Sequence, residues 1–156
     1  MASLPVSDNR IVSRCYDAAA INAVCNHPAV LPGLSLGLHA LDVSDLLEDR
    51  RNIAFLGEYG GALFHRTGPG VYAAHDFFLP QGRGQWALAA SRKMLAKMFD
   101  QFAARLIWAE TPVENRACRM FNRWLGFKSE GVTTAALYPG AEPSQIETFV
   151  MEAVCL

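Results

Sequence analysis

The period of apolar and polar positions changes several times along this chain, and each change marks an element. Residues 10–15 (RIVSRC) read as a short strand, and residues 17–26 (DAAAINAVCN) as a helix in which Ala18, Ile21 and Cys25 share a face. His27-Pro28 closes that helix, because a proline disfavours helical backbone in the residue before it. A second short helix is predicted around residues 43–48. Beyond Asp49-Arg50-Arg51 the period becomes extended, and residues 52–59, 62–66 and 71–79 read as three strands. Gly60-Gly61 and Thr67-Gly68-Pro69-Gly70 separate them, and links that tight imply an antiparallel meander.

The helical period returns over residues 85–102, with Leu88, Ser91, Leu95, Met98 and Phe102 as the inward stripe and Lys93, Lys97 and Gln101 on the wet face. Residues 105–110 (RLIWAE) are a further strand. Thr111-Pro112-Val113-Glu114 then reads as a helix start, with a Thr N-cap, proline in first position and Glu completing a capping box. That helix runs to Leu125 and stops at Gly126. Residues 128–136 and 146–154 are the last two strands, joined through Pro139-Gly140 and Pro143. The expected fold is α/β (α+β), a central mixed sheet of about seven strands flanked by about four helices, in one domain over residues 1–156. The strand, helix and strand over residues 71–110 form a right-handed crossover, which makes its two strands parallel neighbours or near neighbours.

At the carboxyl end of the first of these strands, where such sheets bind ligands, stands Gln81-Gly82-Arg83-Gly84-Gln85-Trp86. Two glycines let several N–H groups point the same way, and the following helix adds the positive end of its dipole. The hexapeptide reads either as an anion-binding turn or as a plain strand-to-helix link. Composition leaves the first option local: 14 basic against 15 acidic residues give no general attraction to nucleic acid or to an anionic membrane. At 156 residues, roughly 70% of the unfolded surface can be buried without a metal or disulfide. Cys15, Cys25, Cys118 and Cys155 show no CxxC spacing and are expected to be reduced core thiols in a cytoplasmic protein. No leader or membrane span is expected, and His27, His39 and His65 suggest no metal site.

The chain resembles the GCN5-related N-acetyltransferase (GNAT) superfamily. Gln81 and Gly84, directly after the fourth strand, match its Q/R-x-x-G-x-G/A signature, and Asn115 with Gly126-Phe127 matches its second, in register. The segments HPAVLPG and ETPVEN are most similar to those of small phage-encoded members, some with head-assembly roles. The resemblance implies acetyl coenzyme A as cofactor and fourth and fifth strands that splay to admit the pantetheine arm. It implies coenzyme contacts from Phe78, Leu79, Gln81, Gly82, Arg83, Gly84, Gln85, Trp86 and Asn115, the turn amides holding the pyrophosphate. Two positions depart from the family. Trp86 stands where a glycine or alanine is usual, so its ring either obstructs the pyrophosphate or turns back into the core. Asn122 stands where many members have a tyrosine that protonates the leaving thiolate, and an amide is no general acid. Cys118 replaces an alanine.

The resemblance implies a small-molecule amine or a protein amino group as acceptor, with no nucleic acid or membrane partner. Pairing or exchange of terminal strands offers a route to a homodimer. The acceptor would be selected by residues 17–32 and 138–145. The oxyanion would be met by a backbone N–H near Phe78 or Leu79. An amine with pKa of about 10.4 lies about 3.4 units above neutrality, so its free base costs roughly 4.6 kcal/mol at neutral pH. A base is needed, and His75 on the fourth strand is the first candidate, Glu110 the second; a strand histidine with a hydrogen-bond partner and a strand-end charge are the alternatives. Asp76 faces the other side. Arg116, Arg119 and Arg123 share a helical face that is either solvated or ready for a phosphate or an acidic partner. Phe77, Phe78, Trp108, Phe121 and Trp124 are expected in the core. A fold retained for binding or assembly in a virus particle, without catalysis, is the competing function.

Overall fold

A computed structural model describes residues 11–35 and 38–154. In chain order the elements are β1 (Val12–Arg14), α1 (Ala18–Cys25), α2 (Leu31–Ser35), α3 (Ser44–Glu48), β2 (Ile53–Gly57), β3 (Gly60–Gly68), β4 (Val71–Phe78), a 3-10 turn (Pro80–Gly82), α4 (Gln85–Gln101), β5 (Leu106–Pro112), α5 (Arg116–Leu125), β6 (Lys128–Ala135) and β7 (Ser144–Glu152). The sheet has seven strands in the order β1-β2-β3-β4-β5-β7-β6. It is mixed and mostly antiparallel, with β4 and β5 parallel as the crossover requires. The β4–β5 pairing runs from Val71–Leu106 to Ala73–Trp108, three pairs, although the strands continue to Phe78 and Pro112. Among the described residues no helix is long and apolar enough to cross a membrane.

The chain divides into two compact units. One holds the described residues up to His65 together with His75–Ala96, the other Arg66–Ala74 with the described residues from Lys97 on. In the first unit, Ile21 and Cys25 of α1, Val30, Val43 and Leu47 join Ala54, Leu63 and Phe77 of β2, β3 and β4 in one buried cluster. Asp17 caps α1 by accepting from the N–H of Ala20 at 3.2 Å. Two asparagines one helical turn apart then fasten the chain entering α3. Asn26 exchanges hydrogen bonds with the backbone of Leu41 at 2.6 and 2.8 Å, and Asn22 accepts from the N–H of Val43 at 3.0 Å. Each carboxamide offers donor and acceptor as a peptide group does, so the helix presents a substitute strand edge. Burial pushes the Cys25 thiol up to about 11, an inert core group, while Cys155 lies outside the described residues.

In the second unit β7 pairs with β5 from Pro112–Ile146 to Leu106–Glu152, and with β6 on its other side. Helix α5 ends at Gly126 in left-handed backbone, φ 100°. Gly126 N–H donates to the carbonyl of Arg123 and Phe127 N–H to that of Asn122, both at 3.0 Å, which closes the last turn as a Schellman motif.

Several expectations are corrected here. Residues 31–35 form a helix, although Pro32 and Gly33 weaken the pattern; proline is tolerated in the first turn, where its missing N–H is not needed. The β2–β3 hairpin turns at Glu58-Tyr59, not Gly60-Gly61, because Gly57 pairs with Gly60. Thr111 and Pro112 belong to β5 rather than to a capping box, since both pair with β7, and α5 starts after Asn115. The face of α4 is centred on Ala87, Ala90, Ser91, Met94, Leu95 and Met98. Trp124 is 61% exposed and not core, while Phe77 and Phe78 are buried and Trp108 and Phe121 half-buried.

Candidate functional site

The glycine turn lies wholly in the first unit and its shape follows from its residues. Pro80 starts a single 3-10 turn in which the N–H of Gly82 donates to the carbonyl of Leu79 at 3.0 Å. Gly82 is buried against Tyr59: a Cβ there would stand 2.4 Å from the Tyr59 Cβ, so only glycine fits. Gly84 adopts φ 100°, a backbone costly for an L side chain, and a Cβ on it would meet nothing within 4 Å. The first, then, is imposed by packing and the second by backbone angle, with open space in front of it. The carbonyl of Gly84 accepts from Leu88 N–H at 3.0 Å, so the helical ladder begins there. The amides of Gln85, Trp86 and Ala87 come before that first rung, and a glycine at the cap offers no side chain to satisfy them. Amides of this kind are suited to an anion.

Trp86 turns back into the first unit. Its indole meets Tyr59 edge to face at 5.3 Å between ring centroids and Phe78 at 6.0 Å, and it is half-buried. Of the two orientations left open by sequence, the side chain takes the inward one. Gln81 and Gln85 are exposed. Arg83 donates from Nε to the carbonyl of Phe78 at 3.2 Å and from Nη2 to that of Ala29 at 2.5 Å. Leu79 N–H donates to the carbonyl of Tyr59 at 2.8 Å and is therefore engaged within the fold.

His75 stands on β4 two residues before Phe77, on the strand face that packs against α1 and α3. Its side chain is exposed, yet burial, and after it the charge of nearby His65, hold the imidazole below its ordinary 6.5. Asp76, on the opposite face, is half-buried, and burial raises its carboxyl.

The second unit holds the other candidates. Glu110 is exposed on β5 opposite Thr148. Asn115 caps α5, its Oδ1 accepting from the N–H of Cys118 at 3.1 Å. Asn122 is buried and donates to Thr111 Oγ1 at 3.1 Å, and Thr111 Oγ1 lies 3.6 Å from Cys118 Sγ. Asn122 is thus a packed polar strut between α5 and β5. Arg119, half-buried, and Arg123, still exposed, both bind the buried carboxylate of Glu147, Arg119 Nε at 2.9 Å. Burial works to raise that carboxyl, but hydrogen bonds from Arg119, Arg123 and Ser129 outweigh it and hold it below the usual range. The Glu147 anchor was missed in sequence because its partners are 24 and 28 residues away in another element.

No family model matches the sequence, and no curated protein does. Solved structures do. Spermidine N-acetyltransferase from Vibrio cholerae, in complex with CoA and spermine, superposes with a TM-score of 0.74 over 91% of this chain and 94% of its own, at 12% identity. A GNAT-family acetyltransferase from Bacillus anthracis gives 0.71 over 91% and 93% at 16% identity. Ribosomal-protein-S5-alanine acetyltransferase from Vibrio fischeri gives 0.71 over 91% and 92% at 14% identity. The element order, the parallel β4–β5 pair and these superpositions together establish that the chain has the GNAT fold.

Proposed function

We propose that this protein is an N-acetyltransferase that uses acetyl coenzyme A and acts on an amine, either a small molecule or a protein amino group. The observation that carries the proposal is the turn after β4, where three helix-start amides follow a bare Gly84, with open space for a Cβ, and Trp86 turns inward; these amides would hold a pyrophosphate. The neighbour from Vibrio cholerae, with CoA and spermine in its structure, supports the same cofactor and an amine acceptor. The bound thioester would supply an acyl carbon open to a neutral amine, with a C–N bond taking the place of the C–S bond and sulfur leaving as thiolate.

His75 is the residue this chain offers to take the amine proton. Its lowered pKa keeps the imidazole neutral, and so a proton acceptor, at neutral pH. Glu110, exposed on β5, is the second base. The oxyanion would be met by a backbone N–H on β4 near Phe78 or Leu79, of which Leu79 N–H donates to the carbonyl of Tyr59. The test is calorimetry with acetyl coenzyme A followed by a thiol-release assay over an amine panel. Absence of binding at high micromolar concentration defeats the proposal.

A second reading, a fold retained for binding or for assembly of a phage particle, is favoured by Asn122. It is buried, hydrogen-bonded to Thr111, and has no acidic proton for a departing thiolate. Coenzyme binding with no thiol release for any amine supports this reading over transfer.

A further inference from the structure

Arg83 joins two parts of the first unit that are distant in sequence. Its Nη2 donates to the carbonyl of Ala29 at 2.5 Å, 54 residues away, while its Nε holds the carbonyl of Phe78 at the end of β4. Both acceptors are neutral, so the guanidinium keeps its full charge beside the glycine turn. Ala29 lies in the link between α1 and α2, where several bonds are local. Ala29 N–H donates to His27 Nδ1 at 3.0 Å, Val30 and Leu31 N–H to the carbonyl of His27, and Gly33 N–H to that of Val30. Val30 is buried in the core cluster and Leu34 packs against it, so the Arg83 bond adds a long-range tie to a link rich in short-range ones.

We propose that Arg83 is a positioning residue that tethers the α1–α2 link to the glycine turn, so that an anion on the turn amides orders residues 29–34. A guanidinium carries five donors in one plane. Two are engaged here and three remain for an oxoanion, so tether and anion are compatible. An anion on those donors immobilises the guanidinium and with it the bond to Ala29. The entropy of ordering is then spent once for both, which couples them positively. Val30 packs in the cluster that contains Phe77, two residues from His75 on β4. The identity of the anion as coenzyme A rests on the proposed function; the tether does not.

The test is hydrogen exchange on the full chain for wild type, Arg83→Gln and Arg83→Lys, with and without coenzyme A as probe. Without ligand, Arg83→Gln exchanges the 29–34 amides about tenfold faster, the loss of one charge-assisted hydrogen bond, and Arg83→Lys recovers part of that protection. With coenzyme A these amides slow in wild type but not in Arg83→Gln, while residues 84–88 become protected in both. Equal ligand-free exchange in wild type and Arg83→Gln overturns the tether, and Arg83→Lys serves for the same comparison if Arg83→Gln does not fold. Protection of residues 84–88 in wild type without slowing at 29–34 overturns the coupling. No protection at 84–88 in wild type counts against the coenzyme proposal, and the ligand-free arm still decides the tether.

Discussion

Trp86 stands edge to face on Tyr59, with ring centroids 5.3 Å apart and planes at 79°. Tyr59 is the second residue of the β2–β3 turn, and its Cβ also forms the wall against which only Gly82 fits. One aromatic pair thus ties the hairpin to the glycine turn and keeps a large side chain out of the open side of Gly84.

Trp86→Ala is therefore expected to destabilise the protein by about 2–4 kcal/mol through lost packing. It should leave coenzyme A affinity the same or weaker. Urea unfolding and calorimetry measure the two effects, and an affinity gain of tenfold or more in Trp86→Ala would show that the ring obstructs the site.

The two turn glycines should separate stability from binding. Gly82→Ala forces a carbon onto Tyr59 and should cost more than about 2 kcal/mol in unfolding free energy. Gly84→Ala meets no neighbour but must hold φ 100°, at a cost of about 1–2 kcal/mol. It also places a methyl group where the pyrophosphate is proposed to approach. Gly84→Ala should thus be the milder in unfolding and the more severe per unit of stability in coenzyme binding. The reverse order in calorimetry would contradict the assignment of the turn.

For His75 the sign of the pH effect is set by burial first and by His65 second, both of which lower its pKa. Between its folded pKa and the ordinary 6.5 the unfolded chain binds more protons, so His75 makes stability fall as pH drops through that window. The acid limb of kcat/KM should accordingly lie below pH 6.5. His65→Gln removes the repulsion and should move that limb upward, and His75→Gln should lower kcat/KM by roughly 10²–10⁴. A pH–rate profile unchanged in His75→Gln would assign the base elsewhere.

Glu147 works in the opposite sense. Its carboxyl is held below its ordinary 4.5, because the arginine and serine hydrogen bonds outweigh the burial that opposes them. The stability it supplies is present above that ordinary value and is lost as pH falls through the folded one. Glu147→Gln should cost about 1–3 kcal/mol near neutrality and flatten the acid limb of the stability curve. A double-mutant cycle with Arg119→Ala should give a coupling energy of more than about 0.5 kcal/mol. Thermal melts from pH 3 to 7 follow the effect, and parallel curves for wild type and Glu147→Gln would exclude it.

The elements misread from sequence share a cause. Thr111-Pro112 has every local mark of a helix start, yet both residues pair with Glu147 and Ile146, and a strand partner 34 or more residues away is invisible to a local pattern. Gly60-Gly61 looks like a turn, but its glycines are in β3 because other backbone approaches too closely for a side chain. Residue type alone points Trp124 inward, whereas on α5 Cys118 and Asn122 pack, one turn apart beneath Thr111.

What the sequence determined by itself was the order and type of most elements, the parallel crossover, and the glycine turn ahead of a long helix. Periodicity, glycine and proline act within a few residues, and their effects survive in any tertiary setting. The tertiary structure decided the direction of Trp86, the engagement of Leu79 N–H and Arg83 with Tyr59 and Ala29, and the use of Arg119 and Arg123 to hold Glu147. Each of these depends on what a distant element places opposite a side chain. A turn that sequence could present only as two glycines is in the fold a row of helix-start amides beside an open backbone, with its one large side chain turned away.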